Sequence, residues 1–294
     1  MGIARVGLPL VICGLIAASV GACKKKSSPT EPTDPDTPAD AFYTALGASD
    51  AIGVGASVPC IPFAPCPNGT GYVPVIARRL DDDRAVTLTN LGIPTAVIGP
   101  HFEALGRQYG RDTLGNFLER EVPFVPRSTT IVTVFAGGND SNAVAAALKG
   151  GAGGTDPVGY IRRQVSQFAS DYTAVVRGIR DRAGSARIVV ANVPNYAGIP
   201  LGRTYTLLER QAVQLISVGF SVDAINRLTS QGVFVVDLLC DPRFYDSANY
   251  SGDGFHMNDN GYAIMAEEML QAITGSSYPP PSTSCPQMEV VSNP

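Results

Sequence analysis

The 294-residue sequence has little of what metal and nucleic-acid chemistry require. Two histidines in the whole chain leave no His-rich ligand set, and the cysteine spacing does not suit zinc, so no metal site is expected. Four lysines, three of them consecutive at 24–26, and a formal net charge of −4 give no basic footprint for nucleic acid. Charged residues make up 16% against 45% hydrophobic, which supplies a buried core and excludes bulk disorder. No repeat is visible. Gly-x-Ser-x-Gly, Ser-x-x-Lys and His-Glu-x-x-His are all missing, which disfavours the hydrolase elbow, the Ser–Lys enzymes and the zinc proteases. "GGAGGTD" (150–156) lacks the Gly-Lys-Ser/Thr of a phosphate loop and reads as a connection. "DDD" (81–83) reads as the solvated end of a helix rather than a calcium site.

What is present begins with export. Arg5 precedes "GLPLVICGLIAASV", an apolar run too short to span a bilayer comfortably. It ends in "VGAC", Val20–Cys23, which resembles the lipobox of bacterial lipoproteins. Residues 1–22 are then a signal peptide and Cys23 the lipidated residue. Residues 23–40, rich in Pro, Thr, Ser and Asp, form a disordered tether. An acyl chain buried in hydrocarbon would anchor the domain to a membrane of the bacterial cell envelope, facing the periplasm or the exterior. Cysteine usage agrees: apart from Cys13 and Cys23, an even set remains, Cys60, Cys66, Cys240 and Cys285. Three pairings are open, and Cys60–Cys66 with Cys240–Cys285 is favoured, the second pinning a Pro-rich tail at 277–294.

From residue 41 to 276 short apolar runs alternate with helical patterns. "AFYTALGAS" (41–49), "AVTLTNLG" (85–92), "TIVTVFAGG" (130–138), "RIVVANVP" (187–194) and "GVFVVDLL" (232–239) read as buried parallel strands. Helices are expected over 72–83, 158–183, 206–231 and 260–273, the third uneven at Gly219. The alternation predicts an α/β fold, a three-layer α/β/α sandwich on a mostly parallel, flavodoxin-like sheet of about five strands. Binding sites in such folds lie beyond the carboxyl ends of the strands.

Chemistry-bearing residues fall at those ends. Ser49 follows strand one in "GASD", Gly92 follows strand two in "NLG" with an unencumbered N–H, and Asn139 follows strand three in "GGND". "DGFH" near the C-terminus supplies Asp253 and His256, three residues apart around a tight turn. A serine hydroxyl needs a base, an imidazole needs an acceptor on its other nitrogen, and a tetrahedral intermediate needs N–H donors. Ser49 is the candidate nucleophile, His256 the base and Asp253 its orienting partner. The Ser49 N–H, the Gly92 N–H and Asn139 Nδ2 are the candidate oxyanion donors. Activity should rise as His256 loses its proton.

In order and context these four segments resemble the SGNH (GDSL-type) hydrolase superfamily over about residues 41–273. The resemblance implies α/β/α esterases and lipases without a metal cofactor, and gives Ser49, Gly92, Asn139, Asp253 and His256 the roles just stated. One departure stands out: the family's Gly-Asp-Ser is Gly47-Ala48-Ser49 here, which implies altered support of the serine turn, with Asp50 a structural substitute. The implied protein is a monomeric, membrane-anchored esterase acting on a small-molecule or lipid ester. Alternatives are a carbohydrate acetylesterase, a catalytically silent lipoprotein binding glycan or cell-wall material, and a surface structural protein. The segments 57–72 and 101–126 are expected to shape the acyl pocket, with Phe63, Phe102 and Phe124 lining it and His101 in a loop that could border the cleft.

Overall fold

The computed structural model describes residues 40–294. The expected signal peptide, the expected lipidation site Cys23 and the expected tether before residue 40 lie outside the described residues. Five strands, β1 (Ala41–Gly47), β2 (Val86–Asn90), β3 (Ile131–Phe135), β4 (Arg187–Ala191) and β5 (Phe234–Val236), form one parallel sheet in the order β2-β1-β3-β4-β5. Every residue of β3 is buried, and its β-branched, largely apolar run "IVTVF" suits a strand covered on both faces. Edge strand β2, "VTLTN", is only half buried, and its threonines reflect that. Inside the sheet Tyr43 and Thr133 share a 2.8 Å hydrogen bond, so the polar groups there are satisfied.

Helices cover both faces. α1 (Tyr72–Asp81) packs on α7 (Asp259–Thr274) over one face. Over the other lie α2 (Pro100–Gln108), the single turn α3 (Phe117–Arg120), α4 (Gly138–Lys149), α5 (Pro157–Arg182) and α6 (Leu207–Gly219). Local chemistry sets several ends. Proline opens α2 and α5, where its missing N–H costs nothing. Thr206 and Glu209 form a reciprocal capping box on α6. The helix expected over 206–231 ends at Gly219 and continues as a π-turn (Phe220–Ile225) and a 3₁₀ segment (Asn226–Gln231). Ser221 explains the change: its hydroxyl donates to the Val193 carbonyl and accepts the Val193 N–H, tying the segment to the end of β4. Helices α2, α3 and α4 had no sequence expectation. Among the described residues no helix is long and apolar enough to cross a membrane.

Disulfides join Cys60 to Cys66 and Cys240 to Cys285. The tail is held by more than its bridge. Gln214 of α6 accepts the Val290 N–H and donates to the Val291 carbonyl and the Asn293 side chain, while Asn195 donates to the Gln287 carbonyl. β1 and β3 are neighbours whose chains leave toward opposite edges of the sheet. In this strand order that is the switch point, where a crevice opens at the carboxyl ends.

Candidate active site

At the switch point β1 ends in Gly47 and turns, leaving Ser49 8% exposed. Its Oγ lies 2.8 Å from His256 Nε2, and His256 Nδ1 lies 2.6 Å from Asp253 Oδ2. The three side chains form one relay across 207 residues of sequence. The Asp253 turn is tightly built: Oδ1 accepts the Phe255 N–H (2.8 Å), the His256 N–H (2.9 Å) and the Ser251 hydroxyl (2.9 Å). Burial raises this carboxyl, but the bond from His256 and the three others outweigh it and hold it at about 2. Two glycines let backbone pack closely around the histidine turn. Gly254 has φ +69°, and its carbonyl takes the Leu201 N–H. Gly55 has φ +93°, and a Cβ there would stand 2.9 Å from the His256 Cβ.

The donors divide. No acceptor meets the Ser49 N–H among the described residues. Asn139 sits in the first turn of α4, one amide hydrogen on the Ala96 carbonyl at 3.0 Å and the other uncommitted. Asn139 lines a cavity of about 10 Å³, the size of one small polar atom, together with Ala96, Gly137, Gly138, Phe255 and the two neighbours of Ser49, Ala48 and Asp50. Gly92 corrects the sequence expectation: its N–H is not free but donates to Asn90 Oδ1 at 3.0 Å. Asn90, at the end of β2, also spans to the Ala51 carbonyl at 2.7 Å. An Asn folding back on the residue two places on is ordinary turn chemistry.

From Phe255 a second, apolar groove of about 420 Å³ runs between α4 and α6, past Ser141, Ala145, Leu148, Tyr196, Ile199, Tyr205, Leu208 and Val213, with Arg111 and Lys149 also on its lining. Of the segments expected to shape the acyl pocket, 101–126 reaches this groove through Arg111, 57–72 does not, and none of the three phenylalanines lines it. Phe102 is fully buried, edge-on to Phe168 and Phe220 in the core. Phe63 lies exposed on the disulfide loop beside edge strand β2, and Phe124 is exposed. His101 is not in a loop either: it lies in the first turn of α2, its Nε2 2.7 Å from Gln164 Oε1 on α5, apart from the relay.

Sequence reasoning passed over several supporting groups. Asp259 accepts the Ser57 N–H, the Ser57 hydroxyl and the Thr70 hydroxyl, stapling the loop after Ser49 to the start of α7. Tyr262 donates to the Val54 carbonyl (2.7 Å) and lies 3.2 Å from Asp50, so Asp50 is tied to α7 beside the nucleophile. Asp140 is buried beside Asn139 and takes the Ile98 N–H at 2.8 Å. Only "GGND" itself signalled it. Burial raises its carboxyl to about 7, against partial lowering by hydrogen bonds. Between its unfolded value of 3.8 and about 7 the folded state holds a proton that the unfolded chain has lost. Stability contributed here is therefore full below pH 4 and falls as pH rises toward 7, on the order of 4 kcal/mol in all. Asp140→Asn, which keeps the acceptor for Ile98, should flatten that slope relative to the wild type in urea unfolding at pH 4.5 and 7.5. Parallel slopes would contradict it.

A doubly wound parallel sheet carrying a Ser–His–Asp relay beside a donor-lined cavity at its switch point defines an SGNH-type hydrolase. The profile of the GDSL-like lipase/acylhydrolase family matches residues 45–264, and the chain belongs to that family of ester hydrolases. Solved structures of the same fold include a lipase, Lip_vut3, from a goat rumen metagenome (19% identity, 80% of this chain and 99% of that one, TM-score 0.53). They also include an extracellular lipase from Streptomyces rimosus (17% identity, 81% and 100%, TM-score 0.50) and phospholipase A1 from Streptomyces albidoflavus NA297 (17%, 81% and 99%, TM-score 0.50). Comparison with curated proteins gave no match.

Proposed function

We propose that the chain hydrolyses carboxylic esters through an acyl-enzyme on Ser49. The observation that carries the reading is the unbroken relay from Ser49 Oγ through the imidazole to Asp253. Neutral His256 takes the Ser49 proton at Nε2 as Oγ attacks the ester carbon. Asp253 holds the ring with its other proton on Nδ1 and stabilises the imidazolium. The oxyanion takes the Ser49 N–H and the free Asn139 amide hydrogen, and the Gly92 N–H joins them on exchanging Asn90 Oδ1 for it. The imidazolium then protonates the departing alcohol. Water, deprotonated by the same nitrogen, releases the acid and restores the hydroxyl.

The groove beyond Phe255 suits the acyl chain. From Asn139 to Lys149 α4 rises about 15 Å, the reach of an extended chain of roughly a dozen carbons at ordinary bond lengths. Its apolar walls favour aliphatic esters over acetylated sugars. With p-nitrophenyl esters, kcat/KM should climb from acetate by up to about fourfold per methylene until the groove is filled, since each buried CH₂ is worth ~0.8 kcal/mol. A preference for acetate would favour the carbohydrate acetylesterase reading. Absence of ester turnover and of fluorophosphonate labelling in folded protein would leave the silent binding protein. The "VGAC" segment and the Pro-rich stretch after it support a lipid tether at Cys23, which mass spectrometry of membrane-extracted protein would detect.

A further inference from the structure

Past the end of β2 the chain stays bonded to β1, with the Leu91 N–H on the Ala45 carbonyl and the Ile93 N–H on the Gly47 carbonyl. The strand register closes at Ala45 opposite Asn90, and the Gly47 N–H, two residues before the nucleophile, finds no backbone acceptor. It donates instead to Glu121 Oε2 at 2.9 Å, across 74 residues. Glu121 is 0% exposed. Its backbone is fixed at the joint between α3 and the 3₁₀ turn Val122–Phe124: its N–H goes to the Phe117 carbonyl, and its carbonyl takes the Phe124 N–H. The rest of its carboxyl is unused, because Oε1 is buried with no partner. The Tyr72 hydroxyl is likewise buried and unpartnered, and a Cβ built on Gly47 would stand 3.3 Å from it. Burial lifts the Glu121 carboxyl well above the usual range, and the single bond from Gly47 offsets little of that.

As a stabilising device this arrangement is poor. A carboxyl desolvated for one backbone hydrogen bond is a site where an apolar side chain of similar volume is commonly neutral or better for stability. As a geometric device it is well placed: Gly47 is two residues from Ser49, whose Oγ must meet Nε2 and whose N–H must face the cavity. We propose that Glu121 is a positioning residue for the nucleophile, supplying from a remote turn the carboxyl support that the Ala48 side chain cannot give. This rests on the Ser49 mechanism above.

Three substitutions test it. Glu121→Gln keeps an oxygen for the Gly47 N–H, and kcat should stay within about twofold of wild type. Glu121→Leu removes the acceptor, and Glu121→Asp withdraws it by one methylene. Both should lower kcat and the rate of Ser49 phosphonylation by a fluorophosphonate at least tenfold, with KM little changed and Glu121→Leu melting no lower than wild type. A purely structural role would move the melting temperature and leave the labelling rate of folded protein alone. If Glu121→Leu does not fold, the Asp and Gln pair gives the same reading. The inference is overturned if Glu121→Asp retains wild-type kcat, or if Glu121→Gln loses as much as the other two. Wild type that neither turns over esters nor labels would overturn the Ser49 mechanism together with this inference, whereas labelled wild type with unaffected variants overturns this inference alone.

Discussion

Ser49→Ala is expected to lower kcat for p-nitrophenyl esters by about 10⁴- to 10⁶-fold, with the fold intact. The hydroxyl is the one group in the crevice that can both lose its proton to His256 Nε2, 2.8 Å away, and bond to an acyl carbon. Removing it changes little else. The Ser49 N–H stays in the backbone, Asn139 keeps its bond to the Ala96 carbonyl, and Asp253 still holds the ring. The residual rate, about 10³–10⁴ over water, is what binding and oxyanion donors supply without a nucleophile. Labelling should vanish with the activity, because the fluorophosphonate needs the same oxygen. His101→Ala is the matching control: that ring pairs with Gln164 on α5 and should leave turnover unchanged. A Ser49→Ala enzyme within tenfold of wild type would end the mechanism.

The sequence told most where one local pattern decides the structure. β1, β3 and β4 were legible because strands covered on both faces are dominated by apolar and β-branched residues, and each ended close to Gly or Asn. Asp253 and His256 were legible together because a four-residue turn closes their geometry locally. Helix α4 left little trace: its buried side is Asp140, Ser141, Ala143, Val144 and Ala147, too small and too polar to mark an apolar stripe. Helix α2 is only nine residues long, and its Phe102 reads equally well as pocket or core until the partner helix is known. The same limit hid the groove, whose walls come from α4, α6 and the segment after β4. Glu121 and Asp259 were invisible for a plainer reason. Their partners lie 74 and up to 202 residues away, and a lone acidic residue in sequence points to no backbone N–H in particular. Gly92 shows the reverse error: a glycine after a strand looked free, but the Asn90 side chain two residues earlier had already taken its donor.

Asp253→Asn should cost about 10⁴-fold in kcat at any pH, through the imidazole tautomer rather than through charge alone. Oδ1 receives three donors, from Phe255, His256 and Ser251, so the amide oxygen of the variant must take that place. Its NH₂ then stands where Oδ2 was, 2.6 Å from His256 Nδ1, and a donor there forces Nδ1 to accept. The ring proton moves to Nε2, the nitrogen that must receive the Ser49 proton, and the base is blocked while every heavy atom stays close to its place. Raising the pH cannot restore it, because the neutral ring is already in the wrong tautomer. In the wild type the Asp253 carboxyl, held at about 2, stays ionised across the working range. Its stabilising contribution is present above the unfolded carboxyl value and is lost only as pH falls toward 2. The acid limb of the activity profile therefore does not belong to Asp253. Initial rates and fluorophosphonate labelling of Asp253→Asn from pH 5 to 9 should lie parallel to the baseline, far below wild type. A variant that regains more than a tenth of wild-type kcat at alkaline pH would show that Asp253 acts by its charge and not by fixing the proton.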